Sequence, residues 1–491
     1  MRQDLESLQA IEGLEPQRLW RYFHDLSCIP RESGNEEGVR QYLLAFAKEH
    51  GLEAQVDAVG NVILYVKASA GFEQVPSVAL QGHMDMVCVK DEGVEHDFLK
   101  DPLTLHREGD FLSAVGTTLG ADNGIALALI LDLFTDPLAK HGPLEAIFTV
   151  TEETGLIGAF GLDPTLIRSR MLLNLDSEEE GVFYIGCAGG NEVEATLSVE
   201  WDAVPAGYSQ WELVVDGLLG GHSGADVDKQ HANSIACAMR FLHMLNEKSS
   251  IMLAALDGGT KRNVIPSVCK ATFLIPTEHQ ELALATAKVV EAELSFEYSA
   301  SDPGLRLSVN PRPLTYTKAP SLAQSRRVIN AIYITPYGVH RVSKTIENLV
   351  ETSSNLAIAQ LKGNIFKIVT SHRSSVLSSR DDLAAITATA LKTCGASVKV
   401  GNGYPAWTPN PKSPLAQICA KAWEKYTGTA PKITAIHAGL ECGIINSLVA
   451  GMDSISLGPN LWGVHSTDEK VSVSSTARIA AYLRHLLATI R

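Results

Sequence analysis

Apolar positions along the first third of the chain change period several times. Leu19, Trp20, Phe23 and Leu26 recur at the spacing of a helix with one buried face. Ser33-Gly34-Asn35-Glu36 then gives a capping-box pattern ahead of Val39, Leu43, Leu44 and Phe46, and Gly51 closes the predicted helix. Short apolar runs follow at 61–66, 77–80, 144–150 and 171–175, with a helix-like stretch at 125–134 that Asp132 interrupts. Strands and helices in alternation predict an α/β fold: a mixed, mostly parallel sheet flanked by helices.

The character changes near 186–190. Strand 211–215 precedes a helix at 234–245, and strand 364–369 precedes a helix at 382–393. The polar, Pro-containing region 299–322 between these pairs supports no assignment. After Gly401-Asn402-Gly403-Tyr404-Pro405, a helix at 414–426 and a strand at 454–457 resume the first pattern. The expectation is a main domain formed by 1–189 and 405–491, interrupted by an inserted α+β domain at 190–404.

Length agrees, since 491 residues exceed one ordinary core. A formal charge of −15 argues against nucleic acid or an anionic membrane as partner. No apolar run reaches the roughly 18 residues of a membrane span, and Met1-Arg2-Gln3-Asp4 has no export-signal pattern. The eight cysteines form no CxxC pair and read as reduced thiols, so the expected compartment is the cytoplasm.

Candidate chemistry gathers at strand ends. Gly82-His83-Met84-Asp85, Thr151-Glu152-Glu153-Thr154-Gly155 and Asn174-Leu175-Asp176-Ser177 each follow a predicted strand. Gly120-Ala121-Asp122-Asn123-Gly124 opens a helix, and Gly463-Val464-His465-Ser466 follows strand 454–457 through a Gly-Pro loop. In an open α/β sheet that edge is where ligands bind. Taken singly, each has a bland reading: a structural His–Asp pair, a helix cap, a solvated acidic turn. Together they supply the imidazole and carboxylate mixture that zinc and similar divalent ions take. They also leave a carboxylate over to act as base on an activated water.

These motifs, in this order and over essentially the whole chain, resemble the aminoacyl-histidine dipeptidases within the aminoacylase and carnosinase superfamily of zinc peptidases. The resemblance implies that His83 and Asp176 hold one zinc, Glu153 and His465 a second, and that Asp122 bridges them. Glu152 matches the general base and Asp85 the acid that orients the His83 ring. Asp122-Asn123 falls where the superfamily keeps a cis peptide. His222, in Gly220-Gly221-His222-Ser223-Gly224, resembles the histidine that donates to the oxyanion from a partner subunit, which implies that 190–404 is the lid and dimerisation domain of a homodimer and that 1–189 with 405–491 forms the catalytic domain. Asn263 and Arg373 match substrate-carboxylate contacts, and Glu441 a contact to the free amino group. Cobalt or manganese would also suit the ligands.

The implied activity is hydrolysis of Xaa-His and other unblocked dipeptides, with no acylated residue; there is no GxSxG elbow. Alternatives are an N-acyl amino acid deacylase or aminopeptidase on the same scaffold, or a catalytically dead binding protein. A nucleotide-binding protein ranks last, because no loop reads GxxxxGK[ST] or GxGxxG between strand and helix.

Overall fold

The middle strands of the first half are almost continuously apolar because both faces of their sheet are covered. Eight strands form this sheet: β1 (Glu53–Val56), β2 (Val62–Val66), β3 (Val78–His83), β4 (Leu144–Thr149), β5 (Met171–Asn174), β6 (Val182–Cys187), β7 (Lys432–Ile436) and β8 (Asp453–Ser456). Their order is β1-β2-β4-β3-β5-β8-β6-β7. The central strands β4, β3, β5 and β8 run parallel; β2 runs against β4 and β1 against β2, and on the other side β6 pairs antiparallel with β8. Every residue of β3 and β4 is buried. The sheet is therefore mixed, with its parallel part at the centre.

The computed structural model describes residues 2–491. It divides into two compact units. The first runs to residue 186 and takes in Pro409–Ala435 and Leu440–Arg491; the second is Cys187–Thr408 with Ile436–Gly439.

In the first unit, helix Ala121–Phe134 is buried on nearly every side, packed between β3 and helix Gln17–Ser27. Its approach to β3 is so close that a Cβ at Gly82 would overlap Asn123 Oδ1 and sit 2.9 Å from the Ala126 Cβ. Removing a large side chain from such packing, as in Leu127→Ala, costs roughly 2–5 kcal/mol. The interrupting acid of this helix is neutralised: Arg18 Nε lies 2.8 Å and Arg484 Nη2 2.5 Å from the Asp132 carboxylate. The Asp122–Asn123 peptide at the helix start is cis. A small antiparallel sheet joins Leu105–Glu108, Phe111–Ala114, Lys470–Ser472 and Leu461–Trp462, and His465 sits in the loop between the last two.

One predicted cap is corrected. Helix Glu37–Glu49 begins without any side-chain cap bond. Ser33 is drawn away because its hydroxyl donates to Asp85 Oδ2 at 2.7 Å, a buried charged acceptor that outcompetes a backbone amide. The predicted stop holds: Gly51 takes φ 65°, which glycine adopts without strain.

The second unit is built on an antiparallel sheet whose main path begins with Arg306–Arg312 and ends with Ser397–Val400. Helices Ser234–Asn246, Gln280–Glu297, Leu322–Tyr333 and Leu377–Thr393 contribute to the unit's apolar core. The unassigned stretch 299–322 holds the edge strand Arg306–Arg312, where Pro311 is tolerated. Among the described residues, no helix is long and apolar enough to cross a membrane.

Candidate metal centre

Parallel register sets the first unit's polar residues side by side. His83 pairs with Thr149 across β3 and β4, and Gln81 with Asn174 across β3 and β5, so three strands end together. The turns that leave these ends carry Asp85, the Glu152-Glu153 pair and Asp176.

Asp122 joins them from the start of its helix. Its Oδ1 lies 3.1 Å from His83 Nε2, and its Oδ2 lies 3.1 Å from His465 Nε2. His465 Nε2 is also 3.1 Å from Glu153 Oε2. Asp176 Oδ1 is 3.4 Å from His83 Nε2 but takes no hydrogen bond from it. Three sets of donor atoms, each within 4.8 Å, result: His83 with Asp122 and Asp176, Asp122 with Glu153 and His465, and His83 with Glu152 and Glu153.

This arrangement fits cations. Glu153 Oε1 and Asp176 Oδ1 are buried without a hydrogen-bond donor, an expensive state for a carboxylate unless a positive charge faces it. Four carboxylates share the cluster with only two imidazoles. The electrostatics say the same. Burial raises Asp176 to about 6 and Glu152 well above its usual range, the latter helped by Asp176, Glu441 and Glu153. Hydrogen bonds to Asp122 and Glu153 push His465 up to about 11. For His83, burial opposes the charged form but the carboxylates of Asp176, Asp122 and Asp85 outweigh it. All of these shifts favour the more positive form of the cluster, which is the charge a bound cation would supply.

Asp85 organises the floor. It is fully buried; its Oδ1 is 3.3 Å from His83 Nδ1, and its oxygens accept the amides of Glu152 (3.0 Å) and Glu153 (3.2 Å). Burial would raise its pKa, yet His83, the Glu152 amide and the Ser33 hydroxyl bring it down to about 2.

Glu441 lies beneath this layer rather than on an open surface. It is fully buried, and its Oε2 accepts from Gln81 Nε2 (2.5 Å) and Thr149 Oγ1 (2.7 Å). Burial lifts it to about 7.

The second unit holds the remaining sequence candidates. His222 Nδ1 accepts the amides of Gly224 (3.3 Å) and Ala225 (3.0 Å), which leaves the proton of a neutral ring on Nε2. Arg373 Nη2 is 3.5 Å from that Nε2, and Arg373 Nη1 donates to the Tyr404 hydroxyl at 2.8 Å. Asn263 is exposed in a loop whose backbone carbonyl accepts the Ser223 amide at 2.9 Å.

Several supporting residues were not legible as such. Arg31 is buried and donates to the carbonyls of Met84, Asp85 and Gly120. Glu469 is buried and accepts the amides of Leu119 and Gly120 (both 2.8 Å) and Asp122 (3.2 Å). Both stand in short polar stretches with no periodicity, which read as solvated loops; only the proximity of Glu469 to His465 is a sequence signal.

Imidazoles and carboxylates converging on the C-terminal edge of a parallel β-layer are the arrangement of a metal-dependent hydrolase. Residues 79–489 match the model of Peptidase family M20/M25/M40, and the chain belongs to that family of peptide-bond hydrolases. It is 36% identical over 487 residues to the cytosol non-specific dipeptidase of Escherichia coli (strain K12), covering 98% of this chain and 99% of that one. In structure it is similar to aminoacylhistidine dipeptidase from Vibrio alginolyticus, with TM-score 0.90, 34% identity and 98% of each chain covered. An aminopeptidase from Bacillus cereus shares the fold at TM-score 0.57 and 17% identity, over 97% of this chain and 99% of that one.

Proposed function

We propose that the protein is a cytoplasmic, two-zinc dipeptidase acting on Xaa-His and other unblocked dipeptides. The observation that carries this is Asp122, whose two oxygens face His83 on one side and His465 on the other. The dipeptidases of E. coli and V. alginolyticus, each more than 30% identical over nearly the whole chain, support the substrate class.

In this reading His83 and Asp176 hold one ion, Glu153 and His465 the other, and Asp122 is shared. Two bound divalent ions supply Lewis acidity and lower the pKa of water toward about 7. Glu152, which shares a donor set with His83 and Glu153, takes the proton of the attacking water and hands it to the leaving amine. Asp85 keeps the His83 ring oriented and the Glu152 amide fixed. His222, with its proton on Nε2, donates to the developing oxyanion, and Arg373 and Asn263 take the substrate carboxylate. The second unit serves as lid and dimer interface of a homodimer. Glu441, its Oε2 held by Gln81 and Thr149, is the candidate contact for the free amino group of the substrate.

The deciding assay compares L-alanyl-L-histidine and β-alanyl-histidine with N-acetyl amino acids, using enzyme loaded with Zn2+, Co2+ or Mn2+. Chelator-sensitive cleavage of the dipeptides is the expected result. Activity confined to the N-acetyl compounds would make it a deacylase instead.

A further inference from the structure

Residues 31–36 lie outside the stretch matched by the family model, yet three of their side chains end on three different turns of the centre. Arg31 donates to the Asp85 carbonyl at 2.9 Å and to the Gly120 carbonyl, and Ser33 donates to Asp85 at 2.7 Å. Glu36, only 4% exposed, reaches the turn that carries the glutamate pair. Its Oε1 accepts the Thr151 amide at 2.9 Å and the Thr151 hydroxyl at 2.7 Å, and the Gly34 amide at 2.8 Å.

Thr151 has φ 51°, in the left-handed region that a β-branched residue avoids. The two residues after it are Glu152 and Glu153, whose amides are both taken by Asp85. The turn is thus gripped by a carboxylate on each side. Were Thr151 to relax to an ordinary φ, the peptide planes that aim Glu152 and Glu153 would rotate. Strain of this kind persists only where its surroundings over-determine it, and Glu36 supplies that restraint.

We propose that Glu36 is a positioning residue of the centre: by holding Thr151 left-handed it sets which way Glu152 and Glu153 face. The proposal rests on the reading of Glu152 as base and Glu153 as ligand. Because all three contacts fall on one oxygen, the amide oxygen of glutamine can replace it, whereas alanine cannot.

The test is a double-mutant cycle on the full-length, Co2+-loaded protein, with E36A, E36Q, T151G and E36A/T151G. It reads turnover of L-alanyl-L-histidine and the cobalt d–d absorption, which reports ligand geometry without turnover. E36A should lower kcat by about 30-fold with KM little changed, and should alter the cobalt band; displacements near 1 Å have effects of this order. E36Q should recover to within about five-fold of wild type. In the T151G background, where glycine takes the left-handed turn unaided, E36A should cost less than about three-fold. An equal cost in both backgrounds, or an unchanged band with full turnover in E36A, would overturn the proposal. If E36A does not fold, E36D, one methylene short of Thr151, takes its place in the same cycle. E152Q run alongside separates the two ideas: turnover by E152Q would sink the assignment of the base, while the cobalt band still reports on Glu36.

Discussion

The Glu152 amide donates to Asp85 Oδ1 at 3.0 Å. The acid that faces His83 Nδ1 therefore also anchors the turn that bears the proposed base, so the proposed ligand and the proposed base are oriented together. Asp85→Ala should weaken metal binding by about 10–100-fold and also lower kcat at saturating metal. Titration with Co2+ followed by turnover measures both; an intact kcat once metal is restored would mean that Asp85 serves only the ligand.

Replacing Glu152 by Gln removes the proton acceptor but keeps the shape. We expect kcat to fall by roughly 10²–10⁴-fold with both metals retained. Metal analysis beside the kinetics decides the matter, since a lost ion would make Glu152 a ligand and reverse the roles within the pair.

Asp122 is the shared carboxylate of two donor sets. Asp122→Asn leaves one oxygen to serve both sides, so both ions should bind more weakly, and the variant should purify with less than one equivalent. Loss of a single ion with the other held as in wild type would show that Asp122 is not shared.

His372 and His437 in the second unit give a pH prediction of definite sign. Burial holds His372 near 4 and His437 near 3, below the ordinary 6.5. The unfolded chain thus binds more protons than the folded one across that window. Their contribution is whole above pH 6.5 and is lost as pH falls toward 4 and below. For His372, fully buried, the loss is up to roughly 3 kcal/mol. His372→Gln should therefore lose less melting temperature between pH 7.5 and 4.5 than wild type. Equal losses would assign the acid sensitivity elsewhere, and the comparison cancels any contribution from metal release in the first unit.

The α/β fold is legible because its parallel strands are short apolar runs bounded by glycines and polar turns, and because the chemistry follows those runs. The second unit is far less so. Strand Val350–Lys362 is buried without alternation from Thr352 to Ala357, Cys269–Pro276 alternates only over its first half, and nothing local marks the partners of these long antiparallel strands. Within the centre, His83, Asp122 and Glu153 stand out because each follows or opens a regular element. Arg31, Glu36 and Glu469 do not, because they act on backbone groups of distant turns, and a hydrogen bond to a main-chain atom imposes no residue type on its partner.

Arg484 reaches Asp132 across 352 residues of sequence, and Glu469 reaches Leu119 across 350. Order of synthesis follows from this. When the ribosome has passed Asp176, Asp132 has Arg18 but not Arg484, and His83, Asp122 and Asp176 stand without His465. The whole second unit must be translated before the missing partners emerge. At roughly 5–20 residues per second, that leaves the half-built sheet waiting for tens of seconds. The nascent first unit is therefore a long-lived species with a buried acid short of one of its partners and a donor cluster that still lacks His465, and chaperones meet it in that state.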